Sequence, residues 1–323
     1  MSRTRSFIGL TQEVTDGIPI IVKGVPNILF VGTGDWYTEM SRQHPSKVFK
    51  SLQAAIDAVP AGDGSTTYGN YNTKIIVHGT TTVTTTVTVP ATKAGIEIVG
   101  TDPQWGKAGI NTATALGAGV PILKILGNNC AIRNLRVWAE TTTQTGDAIH
   151  FGDATYPALY GLIENVRVQG AVSGSYLDFK NGIVIKDSKY TIIRKTEVTG
   201  GANTAVGISI EAGVGNGKRH RLENVNVHIF NDTGDAAIPL QIAADQNLGI
   251  IQGGEYITHS TADAIEIGGN EWTITGGGLA ANEDIVGVET QIDWNGAQRI
   301  VGEFYVKQLG GATAASLFSE ANV

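Results

Sequence analysis

Between Ile132 and Val301 the hydrophobic positions fall into one pattern, apolar-x-x-apolar-x-apolar, that returns seven times. Ile132-Arg133-Asn134-Leu135-Arg136-Val137, Ile163-Glu164-Asn165-Val166-Arg167-Val168, Ile193-Arg194-Lys195-Thr196-Glu197-Val198 and Leu222-Glu223-Asn224-Val225-Asn226-Val227 are the clearest copies, and weaker ones begin at Ile251, Ile274 and Val301. The starts are 31, 30, 29, 29, 23 and 27 positions apart, the spacing of a solenoid in which each turn adds one strand to a growing sheet. A second series runs out of phase with the first. Ile149-His150-Phe151, Ile183-Val184-Ile185, Ile208-Ser209-Ile210, Leu240-Gln241-Ile242 and Ile265-Glu266-Ile267 alternate in-out-in as half-buried strands do. Each coil therefore carries at least two short strands. Stacked about 4.8 Å apart, seven coils form a rod on the order of 34 Å long.

Upstream, Val48, Leu52, Ala55, Ile56 and Val59 share one helical face, with Pro45-Ser46 before them and Pro60-Ala61-Gly62 after. This predicts a capping helix over 46–60, covering the open end of the first coil, where unpaired strand edges invite aggregation. The first coils are expected at Lys74–His78, Thr80–Val89 and Ile96–Gly100, with Thr82, Thr84, Thr86 and Thr88 forming a hydroxylated face opposite Val83, Thr85, Val87 and Val89. Residues 1–45 read as an extension outside the repeat. Its apolar segments Gly17–Val22 and Pro26–Val31 need either the flank of the rod or a partner, and Trp36 and Tyr37 either close that docking or pack on the capping helix. The expected division is 1–45 extension, 46–305 solenoid and 306–323 tail.

Composition agrees with an all-β chain: Gly occurs 42 times and charged residues make up only 16% of 323 positions, which suits many tight turns between Thr-, Val- and Ile-rich strands. A net charge of −7 speaks against a dedicated nucleic-acid binder, which needs a clustered cationic footprint. The local exception is Lys180, Lys186, Lys189, Arg194 and Lys195 followed by Lys218-Arg219-His220-Arg221; these are solvated turn residues or a patch for an acidic glycan or a partner protein. The single cysteine, Cys130, has no disulfide partner within the chain and is expected as a buried thiol. The first residues lack the apolar core of a secretory signal, and no stretch reaches the ~20 apolar residues of a membrane span, so manufacture in a reducing cytoplasm is expected.

Phe49-Lys50-Ser51-Leu52-Gln53-Ala54-Ala55-Ile56-Asp57-Ala58-Val59-Pro60, an Ile-x-Val strand and Ile96-Glu97-Ile98-Val99-Gly100-Thr101 together resemble the opening of the pectin-lyase-like right-handed parallel β-helices. The resemblance covers roughly residues 46 to 305. It implies a partial asparagine ladder, with Asn134, Asn165 and Asn224 at equivalent turns and interruptions at Lys195 and Gly253. It does not settle function, because such folds host lyases, hydrolases, esterases, viral spikes and inert virion proteins.

The residues themselves carry no familiar catalytic signature. Neither the Asp cluster of a polygalacturonase-type hydrolase nor the acidic calcium cage of a pectate lyase can be assembled, and the esterase-like opening lacks the catalytic stretches that should follow it. Two constellations remain as alternatives to plain turn residues: Asp147, His150 and Asp153 around one strand, and Asp263 with Glu266 near His259. The six histidines are too scattered for a local metal site, and Gly253-Gly254 and Gly276-Gly277-Gly278 lie inside strand copies, where they permit bending or close approach of another surface such as a sister subunit. No catalytic, cofactor or metal residue is nominated.

The resemblance to bacteriophage β-helix proteins implies a non-enzymatic structural virion protein, a capsid decoration or tail-associated spike, exposed on the particle after assembly in the host cytoplasm. It further implies a homotrimer attached to other virion proteins through the N-terminal segment, with no nucleic-acid or membrane partner. The alternative is a tailspike that binds or degrades a host surface glycan at a divergent site on the flank of the rod.

Overall fold

The computed structural model describes residues 27–61, 73–101, 108–112, 114–139, 145–169, 178–201, 203–211, 213, 219–230, 237–259, 262–269 and 271–278 with side chains, and only the backbone of strands 3–7, 10–15, 18–21, 279–280, 292–294, 299–306 and 318–320. The chain is a right-handed parallel β-helix. Its strands pair in parallel into one 18-stranded and one 9-stranded sheet. The larger sheet bends at a tight turn in each coil, so that three strand columns enclose a single core.

The repeating apolar positions explain the stacking. Leu29, Ile75, Ile98, Ile132, Ile163, Ile193, Leu222, Ile251, Ile274 and Ile300 lie opposite one another from coil to coil. The first nine of these side chains are each no more than 3% exposed. The column thus has ten levels where the sequence pattern showed seven, and nine steps of about 4.8 Å give a rod of about 43 Å. The last copy also begins one residue earlier than expected. Ile300, not Val301, opposes Ile274, and the register shifts between Thr275 and Gly277 where the neighbouring strand bulges.

The second series forms the third column as expected: Ile149, Ile183, Ile208, Leu240 and Ile265 are in register, and so are the residues two places on. It continues downward through Leu123 and Val87 and upward through strands Ile292–Trp294 and Phe318–Glu320. The expected C-terminal tail therefore supplies a strand of this column. The Thr/Val run splits into strands Thr80–Val83 and Val87–Val89, and Thr85 lies exposed in the turn between them instead of on the apolar face.

The lower end departs from the expected boundary at residue 46. Strand Asn27–Val31 pairs with Thr73–Val77 and places Leu29 and Val31 in the core, so the solenoid begins inside the range read as an extension. The capping helix spans Leu52–Ala58, not 46–60. Ser51 caps it, accepting from the Ala54 amide, while Val48–Phe49 is drawn into extended pairing with Phe30 and Val31. Leu52, Ala55 and Ile56 are its buried face. Lys93 donates to the Ile56 and Asp57 carbonyls at the helix C-terminus. The Gln53 carboxamide exchanges two hydrogen bonds with the Thr88 backbone, closing the edge of strand Val87–Val89.

A further helix, Gly34–Gln43, has no fully buried residue. Its Trp36 lies over Gly32 and stacks on His78 instead of on the capping helix. Strands Arg3–Phe7, Leu10–Thr15 and Ile18–Ile21 form a separate antiparallel sheet. Residues 17, 22 and 26 of the expected apolar segments lie outside the described residues.

Two turns recur with a left-handed backbone. One holds Asn134, Asn165, Lys195, Asn224, Gly253 and Gly276, at φ between 50° and 62°. Asn165 donates its side-chain amide to Asn134 at 2.8 Å, and the ladder breaks at Lys195. Main-chain bonds, such as that from the Asn165 amide to the Arg194 carbonyl, already satisfy these turns, and the Asn165 side chain is exposed. The other turn holds Asn129, Tyr160, Tyr190, Arg219, Leu248 and Glu271, at φ between 55° and 63°. At Gly254, with φ of 89°, a Cβ would sit 2.1 Å from the Val225 carbonyl. Within the chain, the surface that approaches this glycine is the preceding coil.

Candidate functional site

Of the constellations nominated from sequence, one forms in part. Asp147 opens strand Asp147–Phe151 and accepts from His150 Nδ1 at 2.8 Å across the strand, while Asn181 on the next coil donates to its other oxygen at 2.7 Å. The carboxylate fixes the imidazole, and His150 Nε2 is buried with no hydrogen-bond partner among the described residues. Asp153 does not join them. It binds Lys124 at 2.8 Å and accepts from the Thr155 and Tyr156 amides. Burial pushes its pKa upward, but the Lys124 and backbone hydrogen bonds outweigh this and hold it below the usual carboxylate range.

The second constellation separates. Glu266 on the third column accepts from Gln241, whereas His259, after strand Glu255–Thr258 of the larger sheet, faces His228 with 3.0 Å between their Nε2 atoms. Within the basic set, Lys186 pairs with Glu211, Arg194 with Glu164 and Arg221 with Glu223. Lys218 lies outside the described residues. The Arg194 hydrogen bond is the main reason that the Glu164 carboxyl titrates low; burial opposes it, and the charges of Arg133, Arg194 and Lys195 reinforce it. Cys130 is 2% exposed, and burial pushes its thiol up to about 12. This is an inert thiol.

The register creates a cleft that the sequence pattern did not reveal. Arg167, Glu197, Asn226 and Glu255 stand opposite one another on successive coils. With Thr199, His228, Phe230 and Ile257 they line a groove of about 320 Å³. His228 packs 3.8 Å from the Phe230 ring centroid, and His259 stacks on the same two rings. Arg167 holds Glu197 at 2.8 Å. Glu255 lies two coils above Glu197, about 9.6 Å away along the backbone stack. Aromatic faces beside carboxylates and an amide suit a hydroxyl-rich ligand. These outward positions escape a sequence reading because alternation constrains only the inward ones. Among the described residues, no group of three or more His, Cys, Asp or Glu side chains is gathered to hold a metal.

No family model matches the chain, and no curated protein matches it in sequence. Among solved structures, the full-length tailspike protein 2 of Escherichia coli O157:H7 bacteriophage CAB120 superposes with a TM-score of 0.53 at 10% identity, covering 96% of this chain and 45% of the tailspike. The chain therefore spans a little under half the length of that protein. An alginate lyase from Paenibacillus sp. str. FPU-7 gives 0.49 at 14% identity, covering 79% of this chain and 95% of the lyase. The ORF18 protein of Geobacillus virus E2 gives 0.43 at 12% identity, covering 94% and 69%. Ten stacked levels of parallel strands, a capped lower end and the tailspike superposition place the chain in the right-handed parallel β-helix fold of the pectin-lyase-like proteins.

Proposed function

We propose that this protein is a structural component of a bacteriophage particle, a tail-associated β-helical spike whose rod projects from an N-terminal attachment segment. The observation that carries the reading is the fold shared with a phage tailspike over 96% of this chain. The reading is non-enzymatic. It is supported by the fate of the first nominated constellation: Asp153 is held in an ion pair by Lys124, away from His150, and His150 Nε2 is buried. Three copies assemble side by side in this proposal, following the closed symmetry usual for homo-oligomers. A second reading, glycan handling on the flank, is favoured by the His228–Phe230 cleft.

The decisive experiment is imaging of phage particles carrying this chain with a gold-binding tag. Label at the tail supports the proposal, label at the capsid shell moves the protein to a decoration role, and unlabelled particles remove it from the virion. A reducing-sugar assay on host surface polysaccharide separates the two readings, since new reducing ends would establish glycan cleavage.

A further inference from the structure

The second left-handed turn is occupied by the wrong kind of residue for its backbone. Left-handed φ costs side chains with a Cβ, and glycine, asparagine and aspartate bear it best. The sister turn obeys this rule, with Asn or Gly at every described level except Lys195. Here the succession is Tyr160, Tyr190, Arg219 and Leu248, at φ of 58°, 59°, 63° and 63°. Core packing does not explain them, because Tyr160 is 49% exposed, Tyr190 36% and Leu248 37%. Strain kept at consecutive levels, without burial in return, marks a surface maintained for contact.

The surface is ordered. The Tyr160 and Tyr190 rings stack with centroids 4.9 Å apart and planes within 6°. Two residues further along each coil, Leu162, Ile192, Arg221 and Ile250 form a parallel outward row. Between the rows lies a pocket of about 400 Å³ lined by Tyr190, Ile192, Arg219, Arg221, Leu248 and Ile250. The turns are locked from within by a buried polar network: Ser188 bonds Thr191 and the Ala158 carbonyl, His220 bonds Gln246, and Trp272 donates to the Gln246 carbonyl. The ridge from Tyr160 to Leu248 spans three coil steps, about 14 Å.

Charge selects the occupant. The chain carries −7 overall, yet the centre of this ridge carries Arg219, which has no ion-pair partner among the described residues, beside Arg221. A second copy meeting the ridge with its own ridge would set arginine against arginine. A peptide strand finds no free edge, because the turn amides are bonded between coils, Tyr160 to the Lys189 carbonyl and Arg219 to that of Asn247. Phenolic hydroxyls, aromatic edges and a guanidinium with no ion-pair partner among the described residues together suit ring-shaped units that bear hydroxyls and a carboxylate. We infer that the Tyr160–Leu248 ridge binds an acidic polysaccharide laid along the rod, with Arg219 taking a carboxylate and the stacked tyrosines supporting the sugar rings. This site is distinct from the His228–Phe230 cleft and does not depend on where the protein sits in a particle.

The test is binding of the full chain to hyaluronate and alginate by calorimetry, with dextran as a neutral saccharide and polyglutamate as a carboxylate polymer without sugar rings. Two variants accompany it, Arg219→Gln and the double substitution Tyr160→Asn, Tyr190→Asn. Asparagine tolerates the left-handed turn, so the double variant should melt no lower than the parent while binding weakens at least tenfold; Arg219→Gln should weaken binding similarly. The inference is overturned if neither acidic polysaccharide binds better than both dextran and polyglutamate, or if the variants bind like the parent. It is also overturned if the double variant lowers the sedimentation coefficient, since the ridge is then a subunit interface.

Discussion

Trp36 stacks on His78 with ring centroids 4.5 Å apart and planes 21° from parallel, tying the helix Gly34–Gln43 to the end of strand Thr73–Val77. The link belongs to the lower end of the rod, because the same stretch of chain brings Leu29 and Val31 into the core and joins Phe30 to the Lys47 carbonyl and His78 to that of Val31. A chain starting at Asn27 is therefore expected to fold with a β-rich circular dichroism spectrum and a cooperative melt. A chain starting at Pro45 loses two buried side chains, at about 1.5–3 kcal/mol each, and exposes the edge of Thr73–Val77. It should aggregate or melt much lower. If residues before Asn27 are the attachment segment, the Asn27 chain should also fail to enter particles that accept the full protein.

Lys195 occupies a left-handed turn between Asn165 and Asn224 on adjacent coils. Lys195→Asn should relieve the turn and join the ladder, raising stability by about 1 kcal/mol. Asn165→Leu should lower it by about 1–2 kcal/mol, because leucine tolerates that φ poorly and the bond to Asn134 is lost. Urea midpoints read both, and equal midpoints for the two variants would show that the turn is indifferent to its residue.

Tyr256 replaces the valine of the Val137, Val168, Val198 and Val227 column and is 1% exposed, with its hydroxyl unbonded among the described residues. Burial also raises its pKa. Tyr256→Phe keeps the ring and removes the buried donor, so a gain of about 1 kcal/mol is expected in the same denaturation assay. A loss of that size would reveal a hydrogen bond to the hydroxyl.

Acid sensitivity should begin at His220. Burial lowers its pKa to about 4, opposed by the hydrogen bond that His220 Nε2 donates to the Gln246 amide oxygen, against 6.5 for the free side chain. The unfolded chain then binds more protons between those values, so stability is full above pH 6.5 and falls as the pH drops toward 4, by about 3 kcal/mol in all. The depressed carboxyls Asp153 and Glu164 add their own losses only at lower pH. His220→Gln should flatten the profile between pH 4 and 6.5, which a pH series of thermal melts would register.

Inward positions were legible in the sequence because a core accepts only apolar side chains there, which is why Ile132, Ile163, Ile193, Leu222 and Ile251 announce the coils. Ile75 and Ile98 belong to the same column and fall in the expected first coils, whereas Leu29 is separated from Ile75 by a longer connection, so the repeat did not reach it. Helix Gly34–Gln43 is polar on average and buries no residue completely, so it carries no core signal. The sequence reading starts the capping helix at Ser46, but the pairing of Val48 with Phe30 draws 48–49 into a strand and leaves Ser51 as the cap. The cleft and the tyrosine ridge were illegible for a deeper reason. Their members are 25 to 35 residues apart and outward-facing, and only the inter-coil register, itself set by the core, brings them side by side.

That register also makes the rod a ruler. Ile132, Ile163 and Ile193 stand at the same point of three successive coils, so excising residues 163–192 would remove one whole turn and bring Ile132 beneath Ile193 with every inward position still inward. Reach then changes in increments of about 4.8 Å, while the capped lower end and the uppermost strands keep their own partners. In a spike of the proposed kind, length is then a heritable quantity that can be adjusted one notch at a time without redesigning either end.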